Sequence, residues 1–282
     1  MRRLSSTLGL VFVLLLSLTL LAAQQTARKP AAKPAAQKPA DTGEMVPVPA
    51  GPGRYGCVPP DGNCDTDESC QDDLPDPQEK ARFRHCTVIL SAYSIDKTEV
   101  TQQAYNACVK AGKCTPPAAN FDPASKTKHP VTDVTWLQAD EYCKWAGKRL
   151  PTEAEWERAA RGTEGLRFPW GNDPPTCEQA NFKGCTPAGT HPVGSHPAGA
   201  SPYGALDMAG NVYEWVNDWC CGSSHGGKGP YTDPQGPPEV LGDSKGRRGG
   251  SYDVEAVYIR ASNRGSSFYK NSKPDLGFRC AK

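Results

Sequence analysis

The sequence predicts a single mixed α/β domain, low in regular secondary structure and stapled by disulfides. Three observations predict it. The 282 residues include 28 glycines and 27 prolines, so turns and irregular loops should outnumber regular elements. Helical periodicity or helix caps occur in three short segments, and the strand-like stretches are brief and scattered. Twelve cysteines accompany an N-terminal export signature, a pairing that points to disulfides rather than free thiols.

Residues 1–23 read as a secretory signal peptide: Arg2 and Arg3 precede the apolar run Leu8–Ala23. That run is short for a membrane span, and the alternative is an uncleaved N-terminal anchor. Residues 24–43 form a Pro/Ala/Lys-rich linker, which cannot build a core and favours extended polyproline II. The expected location is secreted, periplasmic or cell-envelope. Without residues 1–40 the chain holds 26 basic against 31 acidic residues, so it lacks the electrostatic footprint of a nucleic-acid binder. Residues 44–282 are long enough for one large core.

In chain order, residues 46–56 alternate as an opening strand closed by glycine. Residues 57–80 carry eight acids and read as a solvated loop. Residues 87–101 alternate as a strand that turns at Asp96. From Val100, the residues Val100, Ala104, Ala107, Cys108 and Ala111 share a helical face, and Gly112 stops it. In VTWLQADEYCKWAGKR, Trp136, Ala139, Tyr142 and Cys143 share a second face. In LPTEAEWERAARG, Thr152 caps, Glu155 completes a capping box and Gly162 closes the helix. Cys108 and Cys114 are close enough in sequence for a local bridge, as are Cys177 and Cys185. The partners of Cys57, Cys64, Cys70, Cys86, Cys220 and Cys221 stay open.

Five stretches in order carry a resemblance: residues 129–162, FPWGN (168–172), YGALDMAGNVYEWVNDW (203–219), RRGGSY (247–252) and LGFRCA (276–281). Together they resemble the formylglycine-generating enzyme, or sulfatase-modifying factor, family, whose fold is related to C-type lectins. The resemblance implies a long-range disulfide between Cys143 and Cys280. It also implies that a second family bridge is absent here, since alanines, Ala160 and Ala261, stand near its two positions.

In the enzyme that names the family, two cysteines after the GGSY-type motif bind copper and activate oxygen. Monovalent copper is soft and demands thiolates. Here the motif continues GGSYDVEAVYIRAS: Val254 stands at the first catalytic-cysteine position, and no cysteine follows before Cys280. No catalytic residue is therefore assigned, and no copper is expected.

The expected cofactor is a structural calcium. DMAGNVYE offers Asp207, the Gly210 carbonyl, the Val212 carbonyl and Glu214, oxygen donors that suit a hard cation. These positions match the family's structural calcium site, with Asp207 replacing asparagine. The bland alternative is a polar turn ending in a buried Glu–Trp pair. The family's second calcium site matches only at Asn181 and the Phe182 carbonyl. Tyr252, Trp219 and Arg260 are expected around the former active-site groove. The function expected is thus a non-catalytic, monomeric, calcium-stabilised binding or structural module of the cell envelope, whose partner would be a protein, peptide or glycan. The alternative is a metal-dependent oxidase of the same family using another site on an exported peptide or small molecule.

Overall fold

A computed structural model of the chain describes residues 43–56, 86–220, 230–236 and 243–282. All of these lie within one unit, residues 39–282. The signal, linker and acidic-loop expectations fall outside the described residues, as do Cys57, Cys64, Cys70, Cys221, His85 and His225.

Nine strands and three helices carry the described fold. They are β1 (Met45–Val48), β2 (Gly51–Tyr55), β3 (Cys86–Leu90), β4 (Tyr93–Asp96), α1 (Gln102–Lys110), α2 (Trp136–Trp145) and α3 (Glu153–Arg161). Then come β5 (Tyr213–Trp219), β6 (Tyr231–Thr232), β7 (Ser244–Arg248), β8 (Arg264–Phe268) and β9 (Leu276–Phe278). They build a β1–β4 ribbon, a three-stranded β2–β3–β6 sheet and a four-stranded sheet ordered β8–β7–β5–β9. The single strand expected over 46–56 is two strands in different sheets, broken at Pro49 and Ala50. Residues 87–101 likewise divide into β3 and β4.

The helix caps follow the sequence. Thr152 and Glu155 form a reciprocal capping box at α3, and Gly162 ends the helix at φ 70°. Thr135 and Gln138 form a second box at α2. The face expected for α1 is corrected. Its buried residues are Gln102, Tyr105 and Cys108, because the Tyr105 ring stacks on Tyr142 of α2 at 5.5 Å and meets Phe278 edge-on. A large ring buries more apolar surface than the alanines of the expected face.

The core is divided by β5. On one side Trp156, Met208, Val216 and Ile95 pack with Ala160 and Ala261, which fill one cluster with methyl groups. On the other, Tyr105, Tyr142, Leu150, Trp215, Leu276 and Phe278 surround the Cys143–Cys280 disulfide. The bridges Cys108–Cys114 and Cys177–Cys185 also form, and no described cysteine is free.

Candidate functional site

β5 is the axis of the site. It runs parallel to β9, with Glu214 opposite Gly277, and antiparallel to β7, with Glu214 opposite Arg248. This register turns Glu214 into the core, where it is completely buried. Arg279, also fully buried, grips it in a fork: Nε to Oε2 at 2.7 Å and Nη2 to Oε1 at 2.7 Å. The Trp156 indole donates to the same Oε2 at 2.7 Å. The guanidinium also donates to the Asp96, Lys97 and Leu206 carbonyls, so one arginine just past β9 ties the C-terminal end of β4 to the loop before β5. Burial disfavours its charge, but Glu214 more than offsets this and holds Arg279 above the ordinary arginine range.

The loop before β5 holds the other oxygen donors. Asp207, Gly210 and Asn211 all take positive φ, at 57°, 78° and 59°. Gly210 is required, since a Cβ there would overlap the Asn181 carbonyl oxygen. Asp207 Oδ2 accepts from the Gly194 amide at 2.6 Å. Asn211 is a hub: its amide donates to Glu99 Oε1 at 2.8 Å, and its Oδ1 accepts from the His191 backbone at 2.9 Å.

Glu99 completes the cluster. Its Oε2 is buried with no hydrogen-bond partner. Burial, then Asp207, pushes its carboxyl well above the usual range, with Glu214 adding and Arg279 opposing. Three buried carboxyl groups thus lie within electrostatic reach of one guanidinium, whose bonded partner is Glu214. Glu99, Asn211 and Arg279 carry no local signal of this role in the sequence, since their contacts span 112 and 65 positions. Arg279 sits inside the LGFRCA stretch, but its partner lies 65 positions away, so no local spacing announces it.

The residues of the expected groove separate. Tyr252 is half-buried beside Asn211, whose carbonyl accepts from the Tyr252 amide at 3.0 Å. Burial, then Asp275, Asp253 and Asp133, raises its hydroxyl pKa. Trp219 lies at the other end of β5, roughly 20 Å of strand away, against Tyr269 and the Lys245 ammonium. Arg260 is fully buried and offers no binding surface. Val257 and Tyr258, five and six residues along the chain from Tyr252, are 37% and 45% exposed. Trp219 and Arg260 are therefore removed from the groove: strand length displaces one and packing the other.

Val254 stands at the position that the resemblance assigns to the family's first catalytic cysteine. It packs against two apolar clusters, and its carbonyl accepts from the Lys183 amide. Asn181 turns its amide donor to the Gly189 carbonyl and Asn211, while the Phe182 carbonyl accepts from Cys185. The segment thus closes on itself beside the Cys177–Cys185 bridge.

The pattern of the sulfatase-modifying factor enzyme 1-like domain matches residues 30–282. The chain belongs to this family. Among its curated members, the formylglycine-generating enzyme of Streptomyces coelicolor is 39% identical over 180 residues, covering 59% of this chain and 56% of that protein. The chain thus matches little more than half the length of that relative. Two solved members of the fold align more completely. Treponema denticola variable protein 1 is 27% identical with a TM-score of 0.65, covering 84% of this chain and 94% of that one. PvdO from Pseudomonas aeruginosa is 25% identical with a TM-score of 0.67, covering 85% and 94%. This family fold, related to C-type lectins, accounts for the few helices, the mixed sheets and the disulfides seen here.

Proposed function

We propose that this sulfatase-modifying-factor-like domain is an exported, monomeric module that binds through its Tyr252 face, is braced by calcium and does not oxidise cysteine. The single observation that carries the reading is the side chain at 254. A valine packed into two apolar clusters stands at the first thiol position, and every described cysteine is already bridged. Soft monovalent copper has no thiolate pair to bind there.

The remaining donors argue against another redox site. Among the described residues, no three His, Cys, Asp or Glu side chains group as metal ligands. His191 and His196 bond to each other, and His129 bonds to Thr190. Calcium suits the loop before β5 for a different reason. Asp207 and Glu214 would hold it with the Gly210 and Val212 carbonyls, and the charge excess with an orphaned Glu99 oxygen favours a hard cation nearby. When bound, the ion would supply charge neutralisation and rigidity. Half-buried Tyr252, with exposed Tyr258 and Val257 in the segment that follows it, supplies the aromatic and apolar side chains that recognition uses.

The test treats the purified protein with cuprous ion under anaerobic conditions and with a cysteine-containing sulfatase-type peptide in air. The expected result is no stoichiometric copper and no formylglycine by mass spectrometry. Formylglycine above the enzyme-free control overturns the reading. For calcium, the thermal midpoint should rise on adding the ion to chelator-treated protein, and Asp207→Ala should abolish that rise. An equal rise in the variant rejects the site.

A further inference from the structure

His191 and His196 take no part in the function proposed above, yet both imidazoles are buried and bonded to one another. The rings lie within 13° of parallel with centroids 5.2 Å apart, and His191 Nδ1 is 2.9 Å from His196 Nε2. His191 Nε2 is 2.9 Å from the Pro187 carbonyl oxygen. This chain of contacts fixes every hydrogen. A carbonyl only accepts, so His191 Nε2 carries a proton and, in the neutral ring, Nδ1 holds a lone pair. His196 Nε2 must then be the donor, which leaves His196 Nδ1 as the site for any further proton.

We infer that His191 and His196 form a one-proton latch that fastens the 187–199 loop to Asn211 and releases it on acidification. One added proton can sit on His196 Nδ1 without breaking a hydrogen bond, and the resulting imidazolium still donates to His191. A second proton has only His191 Nδ1. There it would meet the His196 N–H head-on, converting a donor–acceptor pair into two donors on two like charges. The folded pair therefore accommodates one added proton and the unfolded chain two.

The groups around the pair do not relieve this conflict. From the segment before α2, His129 bonds Thr190, and the Lys128 carbonyl accepts from Val193. Burial, then Lys126, lowers the His129 pKa, with its bond at Thr190 opposing. From the loop before β5, Asp207 accepts from Gly194 and Asn211 from the His191 amide, and Glu99 stands behind Asn211. None of these contacts bonds to the His191 Nδ1 atom. Opening the latch would loosen the loop's hold on Asn211 and Asp207, the two residues it braces through its backbone.

The experiment is chemical denaturation of the full chain between pH 8 and pH 5, compared with His196→Phe, both in a His129→Asn background. Loss of one proton site on folding contributes a tenfold weaker folding constant per pH unit below about pH 6, superimposed on the carboxyl titrations that both proteins share and read as the difference between them. His196→Phe should flatten that slope, since a lone His191 faces no second imidazole. Equal slopes in both proteins overturn the latch. Imidazole NMR of the unmodified chain gives a variant-free check. At neutral pH both histidines should show the Nε2–H tautomer, and only His196 should titrate before unfolding. Two histidines titrating independently in the folded state would equally overturn it.

Discussion

Glu214→Gln is the most informative single perturbation of the cluster. Glutamine keeps the shape but replaces one carboxylate oxygen with an amide donor. That donor must face the Arg279 fork or the Trp156 indole, both of which donate. Arg279 would keep its three carbonyl partners but lose the neutralising charge, in a site where both residues are fully buried. Breaking a buried pair from one side costs about 3–5 kcal/mol. For a domain of this size each kcal/mol moves the thermal midpoint by about 2–4 °C, so the expected fall is about 6–20 °C. The assay is thermal unfolding by circular dichroism, in calcium and again in chelator. The fall should persist in chelator, because the ion pair exists without any metal. This makes Glu214 a poor reporter of calcium by itself and assigns that role to Asp207. A midpoint shifted by less than about 2 °C in chelator would refute the reasoning. It would mean that Glu214 and Arg279 are not coupled in solution.

Asp218 is buried, its Oδ1 has no partner, and burial, then Glu153, pushes its carboxyl up to about 7. Its unfolded value is about 3.9. The folded state therefore holds the proton more tightly, and the stability this contributes is full below about pH 4 and lost as pH rises through 7. Asp218→Asn should raise stability at pH 8 by on the order of 2 kcal/mol, with little gain at pH 4; a pH-independent difference would sink this assignment. Replacing both Cys143 and Cys280 by serine opens a closure of 137 residues and should cost about 4–5 kcal/mol in denaturant titration. An unchanged midpoint would show that the bridge is not formed. Gly210→Ala forces a positive-φ residue against the Asn181 carbonyl, and it should lose about 1–3 kcal/mol from strain alone. Full stability there would reject the geometry of this loop.

Much of the fold is legible locally. The α3 caps, the stop at Gly162 and the short bridges depend on neighbours a few residues apart, so spacing announces them. The face of α1 is not legible, because Tyr105 is buried by Tyr142 and Phe278, whose approach the helix itself does not encode. The same holds for α3. Its sequence EAEWERAAR looks like a solvated helix, yet all nine residues are buried. Glu157 and Glu153 are neutralised there by Arg161, Arg248 and Arg264. The candidate site divides in the same way. Asp207, Gly210, Val212 and Glu214 form a readable spacing, whereas Glu99 and Arg279 join them only through folding.

By itself, the order of residues determined the missing thiol at Val254, the family pattern and the caps of α3, since each is a matter of which atoms the chain carries or places within a turn. Only the tertiary structure decided that Glu214 is held by Arg279, that Trp219 and Arg260 leave the Tyr252 face, and that two histidines share one hydrogen bond. Those outcomes depend on distances between segments far apart in sequence. Such distances are set by strand register and core packing.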